Sequence, residues 1–268
     1  VIETTGLADP APILHALMQD PIVAERYMVD GVVTTVDAVN GMGTLDAQIE
    51  AVNQAAVADR LLLTKCDVAS AEARRGLEAR LAALNPGAPV IEVTGGAVDP
   101  ALLFNLGLYD PATKTVEVQR WLGDEAFAEA HDDQDHDHAH GDDDHAPHGH
   151  DINRHDAHIG AFCIVRDKPM SWTALSGWFD ALTQMRGSDL LRVKAIVAIE
   201  ERPGQPVVLH GVQHLFHPPV LLPEWPSDDH RTRIVFITRD LPRETIENSL
   251  AAFAESDEPP NLSPPPAG

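Results

Sequence analysis

Three short stretches hold residues whose types and spacing could do chemistry. The first is LLLTKCD at 61–67, where an apolar run delivers Thr64, Lys65 and Asp67. An ionised carboxylate is a pure acceptor with two oxygens. Asp67 can therefore take both donors of guanine, N1–H and the N2 amino group, a pair that adenine lacks. A buried site of this kind rejects the wrong base because its own polar groups would be left unpaired. The Lys65 stem would lie along the base plane, and Cys66 would be a small filler behind the loop. A lone Thr-Lys-x-Asp after a strand is more often a surface ion pair. Its position downstream of the second stretch alters that balance.

The second stretch opens the chain: VIETTGLADP. It reads as the end of a buried strand running into a loop. Glu3 is spaced to hold Mg2+ or its waters, and the N–H of Gly6, three residues on, to meet a terminal phosphate. LADP would then be a mobile segment that responds to hydrolysis. Asp37, near the end of DGVVTTVDA, either faces the same site or, by the better reading, caps the next helix. The third stretch is HDDQDHDHAHGDDDHAPHGHDINRHDAH at 131–158, with nine His and nine Asp. Neutral imidazole is a good ligand for Zn2+ and Co2+, and nearby carboxylates add charge. Its candidate ligands are His131, His136, His138, His140, His145, His148, His150, His155 and His158, acting as a loose chelating chain rather than one tetrahedral site. His210, His214 and His217 read first as strand or surface residues and only then as ligands.

The elements around these stretches are legible. DGVVTTVDA (30–38), RLLLTK (60–65) and APVIEVT (88–94) read as buried strands. MGTLDAQIEAVNQAAVAD (42–59) and SAEARRGLEARLAALN (70–85) read as the helices between them. Alternation of this kind implies parallel pairing with right-handed crossovers, and ligand loops of such sheets gather at the carboxyl ends of the strands. ETTG, Asp37 and TKCD are therefore expected to converge on one edge. The His/Asp stretch cannot bury enough surface to offset its ordering entropy and is expected to be disordered without a ligand. After it, IGAFCIVRD, LLRVKAIVAIE, QPVVLHGVQHLFH and RTRIVFITRD read as strands. SWTALSGWFDALTQM, with Ser171 as N-cap, and PRETIENSLAAFAE read as helices, giving an α+β module with largely antiparallel pairing. Trp172, Trp178 and Trp225 are packing residues. SDEPPNLSPPPAG is a Pro-rich tail.

Composition narrows the classes. A net charge of -23 argues against nucleic acid or an anionic membrane as the partner. No apolar run reaches the ~18 residues of a membrane span. The two cysteines, Cys66 and Cys163, form no CxxC pair, so a disulfide framework is not expected and the cytoplasm is the default compartment.

The order of parts, ETTGLADP, DGVVTTVDAVN, RLLLTKCD, a His-rich linker, then LLRVKAIVAI, VVLHGVQHLF and RIVFITRDL, resembles the CobW family of metal-handling P-loop GTPases. The resemblance implies an α/β fold: a partial P-loop GTPase domain with a parallel sheet over 1–120, an acidic His-rich linker over 121–158, a smaller α+β domain over 159–255 and a tail over 256–268. It assigns Glu3 and Gly6 to a Walker-B-like motif, and Thr64, Lys65 and Asp67 to the guanine motif. Thr64 replaces the commoner Asn, which weakens the loop tether more than the base readout. It also implies GTP, Mg2+ and Zn2+ (Co2+ as the alternative), a metal-dependent client protein as partner, and leaves homo-oligomerisation open. The implied function is GTP-hydrolysing delivery of zinc to clients. The alternatives are a cobalt-directed role in cobalamin synthesis or nitrile hydratase activation, and a non-enzymatic His-rich buffer. GxxxxGK(S/T) does not occur in these residues. The family's P-loop and Cys-x-Cys-Cys motif are expected ahead of ETTG, in a longer parent, and the 268 residues alone are expected to bind GTP poorly.

Overall fold

The computed structural model describes residues 1–27, 29–104, 106 and 158–255. Most of the His/Asp stretch and the Pro-rich tail lie outside them, as do His131, His136, His138, His140, His145, His148, His150 and His155. Chain order begins with α1 (Pro10–Gln19) and α2 (Pro21–Ala24). Then come β1 (Val33–Asp37), α3 (Gly41–Ala47), α4 (Ile49–Val57), β2 (Arg60–Thr64), α5 (Ala71–Leu84) and β3 (Val90–Val93). The second module has β4 (Ile159–Arg166), α6 (Trp172–Arg186), β5 (Leu190–Val197), β6 (Val207–Val212), β7 (Leu215–Phe216), β8 (Val220–Leu221), β9 (Thr232–Arg239) and α7 (Arg243–Ala254). Among the described residues no helix is long and apolar enough to cross a membrane.

The first sheet is parallel, in the order β1-β2-β3. Leu61 and Leu63, two apart and so on one face, are fully buried with Leu45 of α3, Val52 and Ala55 of α4 and Leu77, Leu81 and Leu84 of α5. One departure from the sequence reading is the stretch 42–59, which is two helices. Gln48 is extended, with φ -131 and ψ 110, and the chain turns there. The break lets Leu45 and Val52 enter the same core from two axes. A second departure is at the start. Residues 1–5 form no strand, and Val1 and Ile2 are exposed. Apolar residues make a strand only where a neighbour takes their backbone N–H and C=O groups, and none does so among the described residues.

The second sheet is antiparallel throughout, in the order β4-β9-β5-β6-β7 with β8 also on β6. One face packs on α6 and α7 through Trp178, Phe236, Leu175 and Ile246. The other face, with Leu191, Ile196, Val208 and Val235, receives Ala56 of α4. The two modules thus share a core.

A buried ion cluster sits at this junction. Asp59, immediately before β2, accepts from the Arg192 guanidinium at 2.5 Å and the Lys194 ammonium at 3.0 Å, both on β5. Its other oxygen accepts the Val32 N–H at 3.0 Å. Burial raises the Asp59 carboxyl, but the charges of Arg192 and Lys194 outweigh it and hold the group below the usual carboxylate range. Burial lowers Lys194 to about 8 against the pull of Asp59. The turn that presents Asp59 is itself clamped, since the buried Asn85 amide donates to the carbonyls of Ala55, Ala56 and Ala58.

Beside this cluster, His210 and His217 stack with ring centroids 3.7 Å apart and planes 12° from parallel. His210 lies on β6 as the sequence reading has it, but His214 lies outside both flanking strands. Gln213, with φ 54, and His214 form the two-residue turn of the β6–β7 hairpin, which folds His217 back onto His210. Burial first, then the stacked His217 and Arg192, push His210 down to about 2, and burial followed by Arg192 pushes His217 down to about 4.

Two outcomes follow. Asp59→Ala removes the buried carboxylate that both Arg192 and Lys194 contact, and equilibrium urea denaturation should show a loss of about 3–5 kcal/mol. Acid should weaken the wild type well before it reaches the carboxylates. Below about pH 6.5 the unfolded chain takes up protons at both histidines that the native state refuses, so stability falls as pH drops towards about 4. Asp59 contributes fully above about pH 3.9, so its contribution is lost only at lower pH. Urea midpoints at pH 7, 6 and 5 should therefore decline, and decline less in His210→Phe/His217→Phe.

Candidate nucleotide site

The carboxyl ends of β1 and β2 lie side by side, with Asp37 paired to Thr64. The Ala38 N–H donates to the Thr64 carbonyl at 2.9 Å, and the Thr64 hydroxyl donates to the Val36 carbonyl at 3.2 Å. Thr64 thus ties the TKCD loop to the neighbouring strand with its own hydroxyl. At Lys65 the backbone enters the left-handed region, φ 59, and the chain reverses. The N–H groups of Val68 and Ala69 both return to the Lys65 carbonyl. This one-turn reversal leaves Lys65 and Asp67 exposed and turns Cys66 inward against the core, its thiol donating to the Leu63 carbonyl at 3.1 Å. Burial pushes that thiol up, which suits a filler. The Asp67 carboxylate makes no hydrogen bond or ion pair among the described residues, so both its oxygens face solvent.

Asp37 does not cap α3. The cap position is Asn40, which makes no side-chain cap bond. Instead one Asp37 oxygen accepts the N–H groups of Val39 at 2.8 Å and Asn40 at 3.2 Å. The other accepts the Asn40 amide at 2.9 Å and the Lys65 ammonium at 2.6 Å. A turn of this kind is what an Asp at a strand end offers its own backbone. Burial raises the Asp37 carboxyl, and the bonds from Lys65, Asn40 and Val39 more than reverse it, leaving it well below the usual range.

Glu3 and Gly6 are exposed. Among the described residues no hydrogen bond or ion pair joins either to Thr64, Lys65 or Asp67, whereas Asp37 and TKCD are in direct contact. The Gln54 amide of α4 donates to the Gly6 carbonyl at 3.3 Å and the Ala8 carbonyl at 2.7 Å. The Gln54 backbone carbonyl accepts the Thr34 hydroxyl at 2.8 Å. Thr34 precedes Asp37 by three residues, roughly 10 Å along β1. The base and terminal phosphate of a nucleoside triphosphate lie at opposite ends, so the two clusters need not touch. A Cβ built on Gly6 meets no heavy atom within 4 Å, so packing in this state does not demand glycine. The loop runs directly into α1, whose N-cap Asp9 accepts from Ala11 N–H and whose first residue is Pro10. Asp-Pro before an apolar run was a readable helix start. Gln54, by contrast, carries no sequence signal, because its role is a contact across 46 and 48 residues.

Of the nine candidate metal ligands in the His/Asp stretch only His158 is described. It is exposed at the start of β4, its Nδ1 2.5 Å from the Asp240 carboxylate. Among the described residues no three His, Cys, Asp or Glu side chains are grouped to hold a metal ion.

Comparison with known proteins supplies the frame for this geometry. Residues 1–104 match the family model of the CobW/HypB/UreG nucleotide-binding domain. Residues 159–254 match that of the cobalamin synthesis protein CobW C-terminal domain. The chain is 32% identical over 254 residues to the zinc chaperone YjiA of Escherichia coli, covering 95% of this chain and 69% of that protein. It is 34% identical over 100 residues to the zinc-regulated GTPase metalloprotein activator 1 of Schizosaccharomyces pombe, covering 37% of this chain and 24% of the relative. Among solved structures, the zinc-bound YjiA GTPase from E. coli superposes with a TM-score of 0.67 at 29% identity, over 92% of this chain and 68% of that one. A zinc-bound triple mutant of the YjiA GTPase gives 0.68 at 28% identity, over 93% and 69%.

Proposed function

This chain belongs to the CobW/HypB/UreG family of nucleotide-binding proteins, and on that premise we propose that it serves a GTP-hydrolysing metallochaperone that delivers zinc to client proteins in the cytoplasm. The observation that carries the reading is the guanine loop. Thr64 is tied to β1, Lys65 takes a left-handed turn, and both Asp67 oxygens stay open to a ligand. In this reading Asp67 accepts guanine N1–H and the N2 amino group, and the Lys65 stem lies against the base. Glu3, a hard oxygen donor, suits Mg2+ or its waters. The Gly6 N–H meets the terminal phosphate, and the absence of any neighbour at its Cβ position is consistent with room kept for a ligand. Loss of that phosphate releases the loop from 6 to 9 and with it α1. The His-rich segment gathers zinc, whose preference for imidazole it fits, and the second module meets the client.

The test is a change of base preference. Asp67→Asn exchanges one acceptor oxygen for an NH2 donor, wrong for guanine but suited to the extra carbonyl of xanthine. In the protein made from its complete coding sequence, competition of GTP, ATP and XTP should show GTP weakened by at least ~2 kcal/mol and XTP gaining on it, because a donor is left facing a donor. Wild-type GTP affinity in the variant would make TKCD an ordinary surface loop and remove the reading.

A further inference from the structure

Lys65 presents a physical problem that its own loop does not solve. Its side chain is 56% exposed, with four rotatable bonds and a strongly hydrated ammonium. A lysine in that position would sample many rotamers and offer a base no defined surface. An exposed Lys–Asp pair by itself is a weak restraint, because both partners are usually free to move. Here one partner is not free. The Asp37 carboxylate is held by two backbone N–H groups and by the Asn40 amide, three donors that all come from its own turn. The carboxylate is thus fixed to the backbone at the end of β1, and the 2.6 Å contact transfers that fixity to Lys65 Nζ.

The placement has a geometric consequence. Asp37 and Thr64 are register partners on adjacent parallel strands, about 4.8 Å apart. A lysine anchored at one strand end and reaching a carboxylate at the next must lay its methylene stem along the carboxyl edge of the sheet. That edge is where open parallel sheets receive their ligands. The stem becomes a flat apolar strip at a fixed height above the strand ends. We propose that Asp37 is the positioning residue of the guanine site: by pinning the Lys65 ammonium it holds the lysine stem as the surface on which the purine ring lies. The inference rests on the guanine reading of TKCD and extends it to a residue outside that motif. Asp37 touches neither base nor phosphate, and it acts on purine affinity through Lys65 alone. It therefore contributes to holding any base presented to the loop and nothing to choosing between bases, which is the task of Asp67.

The experiment is a double-mutant cycle in the protein made from its complete coding sequence, read as the Kd for GDP. Asp37→Asn keeps an oxygen for the Val39 and Asn40 N–H groups, so the turn survives, and removes the charge opposite Lys65. Lys65→Met keeps most of the stem and removes the ammonium. Each single variant should weaken GDP about 5- to 20-fold, and Asp37→Asn should add less than twofold in the Lys65→Met background. In the Asp67→Asn background, Asp37→Asn should weaken XDP by the same factor as it weakens GDP in the wild type. Asn40→Ala, which removes one of the three fixing donors without touching the charge, should cost two- to fivefold and gives an arm independent of folding at Asp37. Three results would overturn the inference: GDP affinity within twofold of wild type in Asp37→Asn, single losses that simply multiply in the double variant, or a changed preference between bases. Each of these leaves the guanine reading standing, whereas a wild-type protein that binds no GDP removes both.

Discussion

A carboxylate bonded to two cations, all three shut away from water, joins the two halves of this molecule. Asp59 stands one residue before β2, the strand that ends in the TKCD loop, and Arg192 and Lys194 stand on the central strand of the second sheet. Three charges in such a place are tolerable only as a set, because burying one alone costs several kcal/mol. The set fixes the relative position of the two modules more narrowly than the apolar contacts around it, which would permit sliding. Gly31 shows how closely the surroundings fit: a Cβ there would come within 3.2 Å of an Asp59 oxygen and 2.6 Å of the Leu106 Cβ.

The same junction receives α1. Ala11 and Leu14 of that helix pack with Val57 of α4 and with Val212 of β6 in the second module. The helix begins two residues after Ala8, whose N–H closes a turn on the Thr5 carbonyl, so a movement of the opening loop has a short, stiff route to the second module. Gln54 restrains that route in the present state by holding the Gly6 and Ala8 carbonyls. A loop that a ligand can move must exchange such bonds for others of similar worth. Two amide bonds at a half-exposed site are weak enough to exchange.

Much of this was legible in the sequence; of what was missed, α1 had a local start signal in Asp9-Pro10 that the reading of LADP as a mobile segment passed over, and most of the rest depends on contacts between distant residues. β2 is a run of Leu between Arg60 and Thr64, α5 starts on a Ser70 cap, and β5 and β9 are β-branched runs. Each is specified by residues within one element, so periodicity and capping reveal it. The parallel and antiparallel sheets follow from the alternation. The break at Gln48 was hidden because its cause is the placement of Leu45 and Val52 in one core. Asp59 with Arg192, a contact across 133 residues, has no local signature. His210 and His217 looked like a strand pattern because the left-handed turn at Gln213 has no Gly or Asn to announce it. At the candidate site the chemistry-bearing residues Thr64, Lys65 and Asp67 were visible as types and spacing. The bond network that fixes Asp37 was not, since an Asp at that place before a helix reads better as its cap.

The central claim is that nucleotide state and metal handling are coupled in one molecule. Thermodynamic linkage makes this measurable without a client protein, because coupling between two ligands is reciprocal. The direct measurement is the zinc affinity of the protein made from its complete coding sequence, by competition with a chromogenic chelator. It is made once with a non-hydrolysable GTP analogue bound and once with GDP. The account predicts affinities that differ at least ~5-fold, with zinc shifting the relative affinity for the two nucleotides by the same factor. Equal zinc affinities in the two nucleotide states would contradict it.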